Sequence, residues 1–152
     1  MPGGAPESPA AGRQSTSLAF LEAQRSAEEP TMKYLVTIYG SKETWESIPA
    51  EEWPAAIAAQ EAFNRKYFDS GELVGAYGSG TEADAKVIRV RDGVPAVTDG
   101  PYLETKEFMG SFYILDVADE ARAVEIAADL PWASHEAVEL VPLPHESPAP
   151  QR

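Results

Sequence analysis

The sequence predicts one α+β domain: a single antiparallel sheet, two helices on one of its faces, and an inserted hairpin. Three observations predict it. Runs rich in β-branched and aromatic residues recur around two stretches of helical periodicity. The dipeptide Asp92-Gly93 stands between two alternating runs, the strongest short-range hairpin signal. The elements fall in the order β-α-β, hairpin, β-α-β within residues 32–143, and two such halves make the ferredoxin-like pattern.

The first strand is Met32 to Tyr39, ending at Gly40. Tyr34, Val36 and Ile38 alternate with Leu35 and Tyr39, so both faces are apolar and the strand reads as central. Ala50 to Ser70 reads as a helix, with Trp53, Ile57, Phe63 and Tyr67 near one stripe. Pro49 and Pro54 sit near its start, where a missing N–H costs little, and Gly71 is a natural C-terminal cap.

Leu73 to Gly78 is the second strand. Lys86–Arg91 and Val94–Thr98 are the hairpin arms, and Pro95 makes the return arm an edge. Ser111 to Val117 is a buried-type strand. Asp119 is the N-cap of a helix to about Leu130, with Ala123, Val124, Ala127 and Leu130 as its stripe, and Pro131 ends it. Glu136 to Leu143 is the last strand. The helices cover one sheet face. The apolar other face needs a second cover, which a stacked second copy would supply, so a homodimeric α+β barrel is expected.

Residues 1–31 are rich in Pro, Gly, Ala and Ser and read as a disordered extension. Met32 directly precedes the first strand, so it could equally be the biological start. Residues 144–152 form a flexible Pro-rich tail.

The formal net charge of -13 argues against nucleic acid and anionic membranes, whose phosphates need clustered Lys and Arg. It favours solubility or a basic protein partner. With no cysteine, thiolate catalysis and cysteine metal sites are excluded. No apolar run reaches the roughly 20 residues of a membrane helix, and no signal peptide opens the chain, so a cytoplasmic location is expected. His135 and His145 lack metal-ligand spacing, and the glycines of Gly75–Gly80 lack the Lys-Ser/Thr of a phosphate loop. Neither metal nor cofactor is expected.

The most distinctive stretch is Val97 to Val117, which contains Asp99-Gly100-Pro101-Tyr102, then Glu104-Thr105-Lys106-Glu107, then Gly110 before a strand. It resembles the signature of the YCII-related, DGPF-type family, with Tyr102 where phenylalanine is usual. The resemblance covers Met32 to Leu143 and includes Met32-Lys33-Tyr34 and the segment from His135 to Pro142. It implies a ferredoxin-like fold, a dimer, and the company of extracytoplasmic-function sigma factors. Distant relatives of that fold include lactone-handling and dehalogenating enzymes. The His-Asp pair of the more enzyme-like branch does not map here, since the helix Ala50–Ser70 contains no histidine.

Asp99 and His135 are the candidate catalytic residues, as general base or acid. Each also has a plain reading: Asp99 as a turn former and His135 as an incidental loop residue. Arg89, Tyr102, Glu104, Lys106, Glu107 and Tyr113 are the candidate ligand contacts, with Arg89 and Arg91 able to clamp an anion near Asp99 and Glu104. They too could be solvated surface. Two functions follow. One is a pocket that binds or turns over a small polar or anionic molecule by cofactor-free acid–base chemistry. The other is a non-catalytic dimeric regulatory module that engages a sigma factor. The sequence does not decide whether the protein is an enzyme.

Overall fold

The computed structural model describes residues 29–151. The expectations for residues 1–28 lie outside them. In order come β1 (Met32–Gly40), α1 (Lys42–Glu46), α2 (Trp53–Ser70), β2 (Leu73–Gly78), β3 (Lys86–Arg91), β4 (Val94–Asp99), β5 (Phe108–Val117), α3 (Glu120–Ala128) and β6 (Val138–Leu143). Short 3-10 turns stand at Ala50–Glu52, Glu82–Asp84 and Pro131–Ser134. Four strands form a sheet in the order β2-β5-β1-β6, with every neighbour antiparallel. β3 and β4 form a separate two-stranded ribbon. This is the α+β architecture expected, and its strand order is compatible with a ferredoxin-like fold.

One added helix and three element starts differ from expectation, each for a local reason. The five residues of α1 are too few to register as a periodicity; the Ser41 hydroxyl caps the helix by accepting from the Thr44 N–H at 3.1 Å. The residues 50–52 wind as a 3-10 turn, so α2 starts at Trp53, with Pro54 in its first turn. β5 starts at Phe108 rather than Ser111, because Phe108 and Met109 pair with Gly40 and Tyr39 beyond a bulge. Gly110 is the extra residue of that bulge. β6 starts at Val138, since residues 135–137 complete the preceding turn.

The core lies between the sheet and the helices. Tyr34, Val36 and Ile38 of β1, Leu73 of β2, and Tyr113, Leu115 and Val117 of β5 point the same way. Phe63 and Tyr67 of α2 and Ala123, Ile126 and Ala127 of α3 close over them. Phe63 meets Tyr67 at 4.8 Å and the edge of Tyr113 at 5.9 Å between ring centroids. Burying each large side chain contributes about 1.5–3 kcal/mol over leaving it in water. The expected stripe of α2 is buried only in its second half. Trp53 is 37% exposed and Ile57 53% exposed, because the first half of α2 walls an open cleft. Val124 of the expected α3 stripe also faces solvent.

A polar clamp joins α3 to the end of α2. Arg122 donates from Nε and Nη2 to the two Glu72 carboxylate oxygens at 2.7 and 2.8 Å. Asp129 accepts from the Tyr67 hydroxyl at 2.7 Å and from Lys66 Nζ at 3.1 Å. The Arg122 hydrogen bonds hold Glu72 below the usual carboxylate range, and the Tyr67 hydroxyl, then Lys66, does the same for Asp129. A carboxylate with a depressed folded pKa stabilises fully above its unfolded pKa and loses that contribution as pH falls through the folded one. The melting temperature is therefore expected to drop as pH falls from about 5 to about 3. The Glu72→Gln variant should show a shallower drop. Equal slopes for parent and variant would remove the clamp from the acid response.

The sheet face away from the helices is apolar along its middle. Leu35 stands beside Ile114 on one side and Val141 on the other. Tyr77 of β2 lies opposite Phe112 of β5, their rings stacked at 5.0 Å and 26°. The β3–β4 ribbon is exposed on both faces, with Ile88, Val90 and Val97 on one and Val94 on the other all more than 60% accessible. No helix among the described residues is long and apolar enough to cross a membrane.

Candidate functional site

A cleft of about 1150 Å³ opens between the first half of α2 and the turn Pro131–Ser134. Ile38, Ala76, Ser111 and Tyr113 of the sheet line it. Trp53, Ile57, Gln60 and Asn64 line it from α2, Trp45 from α1, and Trp132 and His135 from the segment after α3. Its size is somewhat above the roughly 300–1,000 Å³ usual for a small-molecule site. All three tryptophans of the chain line it.

The indole of Trp45 is held by what its neighbours lack. A Cβ on Gly40 would stand 2.5 Å from Trp45 Cζ2, and a Cβ on Gly110 would stand 2.7 Å from it. Two strands thus present bare backbone to one ring, and the bulge at Gly110 shapes that seat. The ring stacks on Trp132 at 4.7 Å with 29° between planes. The His135 ring lies 6.0 Å from that of Trp132. The indole N–H of Trp132 is buried and meets no acceptor among the described residues. An unpaired buried donor costs about 1–3 kcal/mol, so this N–H calls for an acceptor from solvent or a ligand.

The cleft has a one-signed charge. Glu51, Glu52 and Glu136 line it, and among the described residues no Lys or Arg does. Tyr113 is 5% exposed, and burial pushes its phenol above the ordinary range, partly offset by a hydrogen bond with Ser111. Its hydroxyl thus stays protonated, a fixed donor at neutral pH.

Residues 32–145, more than half of the chain, match the model of the YCII-related domain. The chain belongs to the YCII-related domain family. It is also similar to an uncharacterised protein of Rhizobium meliloti (strain 1021), 31% identical over 99 residues, or 65% of this chain and 80% of that protein. The matched span of the YCII-related domain contains every strand and helix from β1 to β6, and the whole cleft lining.

The structure of this YCII-related domain divides the sequence candidates into two groups. His135 and Tyr113 line the cleft. Asp99, Arg89, Tyr102, Glu104, Lys106 and Glu107 do not. Asp99 is an exposed partner of Lys86 across the ribbon, with Oδ1 2.6 Å from Nζ. Asp99 and Lys86 share one ribbon face, whereas Arg89 and Arg91 alternate onto the other, so no arginine clamp forms around Asp99. The Arg89 guanidinium instead lies 6.0 Å from the Tyr102 ring centroid. Glu104, Lys106 and Glu107 are exposed in the connection from β4 to β5.

Sequence reasoning missed Trp45, Trp132, Gly40 and Gly110 as site residues, and read Trp53 only as core. A usable signal was present: each tryptophan sits beside a glutamate or a proline, at an element end rather than mid-stripe.

Proposed function

We propose that this YCII-related domain binds a small molecule in the tryptophan-lined cleft. The observation that carries the proposal is the convergence of Trp45, Trp53 and Trp132, from three separate elements, on one open cavity. Large rigid rings around a cavity, with a few polar groups between them, are the usual composition of a ligand site. Tyr113 and His135 supply the polar contacts, and His135 is the lining group suited to moving a proton if the ligand is turned over.

The test is a thermal-shift screen of the full chain against neutral, cationic and anionic metabolites. A ligand at about 100 times its Kd stabilises the native state by about 2.7 kcal/mol. Trp53→Ala, at a partly exposed position, should fold and lose the shift. Asp99→Asn and Lys106→Ala, outside the cleft, should keep it. Loss of the shift in those two with retention in Trp53→Ala would move the site to the ribbon.

A second reading, an interaction module, is favoured by the open sheet face. Leu35, Ile114, Val141, Phe112 and Tyr77 form an apolar surface that a second copy would cover by two-fold stacking. A sigma-factor segment would compete for the same surface. Light scattering should give a dimer for the parent and a monomer for Ile114→Glu; a parent that is monomeric at micromolar concentration removes the self-pairing.

A further inference from the structure

We infer that the cleft takes an organic cation attached to a flat, apolar body, an inference that rests on the reading of the cleft as a ligand site. Two independent features select that class. The first is charge. Glu51, Glu52 and Glu136 border the cavity, and no Lys or Arg among the described residues lines it. Three basic residues are paired away from it: Lys66 on Asp129, Lys86 on Asp99 and Arg122 on Glu72. An anion entering the cleft would lose water and meet three carboxylates with no countercharge. A cation gains from the same field, and apolar walls strengthen it.

The second feature is the rings. Indole faces attract cations more strongly than those of any other side chain, within about 6 Å of the ring centroid. Trp45 and Trp132 stack face to face at 4.7 Å, so the pair presents its outer face, and Trp53 stands at the start of the facing helix. Such rings also take the flat body of the ligand by stacking. A neutral aromatic would use the rings and waste the charge. A small inorganic cation would use the charge and waste the rings. A cationic head on an apolar body uses both.

The experiment is calorimetric titration of the full chain with three probes of similar size. They are benzyltrimethylammonium, its uncharged isostere neopentylbenzene, and benzenesulfonate. The cation is expected to bind at least tenfold more tightly than the neutral isostere, with no measurable binding of the sulfonate. Its affinity should fall about threefold to tenfold in the Glu51→Gln, Glu52→Gln, Glu136→Gln triple variant, whose changes are all on exposed side chains. It should fall further in Trp53→Leu. Added salt should weaken it, because the three carboxylates are open to solvent. Equal binding of the cation and the neutral isostere overturns the charge selectivity and leaves the cleft a ligand site. Preference for the sulfonate overturns it as well. If none of the three binds, the inference falls, and the ligand reading of the cleft then stands or falls with the thermal-shift screen.

Discussion

Truncating Leu115 to alanine is expected to cost about 3–5 kcal/mol of stability. Leu115 is 0% exposed in the middle of β5, opposite Tyr34 of β1 and Leu73 of β2. Both neighbouring strands are fixed by their ladders, so the sheet cannot close on the space left behind. The lost contacts and the cavity therefore add. A domain of this size has about 5–15 kcal/mol in total, so the variant should lose a large share of its stability. Urea unfolding of parent and variant measures the difference. A loss under about 1 kcal/mol would mean that the helices settle into the gap and the core is loosely specified.

Gly110→Val is the substitution expected to damage the cleft most. The φ of Gly110 is not in the left-handed region, so the backbone tolerates a side chain; the obstacle is Trp45, whose ring would lie 2.7 Å from the new Cβ. That ring cannot retreat freely, because Trp132 is stacked against it. Overpacking of this kind costs about 1–3 kcal/mol and forces the indole pair to rearrange. The near-ultraviolet dichroism of the coupled tryptophans should change, and cleft binding should be lost. A double-mutant cycle isolates the cause. In a Trp45→Ala background, Gly110→Val should be nearly neutral. If it remains costly there, the bulge itself, rather than the seat of the ring, requires glycine.

The fold was legible in the sequence because its signals are local. Asp92-Gly93 marked the hairpin, and both residues adopt positive φ, 51° and 77°, as such a turn requires. Asp119 marked the start of α3, and its carboxylate accepts from the Arg122 N–H at 2.8 Å. Alternating apolar residues placed β1 in the middle of the sheet, where β5 and β6 flank it. The cleft was not legible, because no local signal encodes it. Trp45 and Trp132 are brought together only by the order of the strands. The charged residues of the Asp99–Glu107 stretch attracted attention by their chemistry, yet they face solvent. In that neighbourhood the residue that shapes the cleft is Gly110, and it does so by having no side chain. His135, chosen for its proton chemistry, and Tyr113 of β5 are the two sequence candidates that line the cleft.

The placement of the tryptophans has a practical consequence. A protein with indoles scattered through it reports its ligand as a small change on a large constant emission. Here every indole of the chain borders one cavity. The intrinsic tryptophan emission of the molecule therefore comes from the lining of that space, and a ligand bound there is expected to change it. The proposed ligand site would thus report its own occupancy without an added dye.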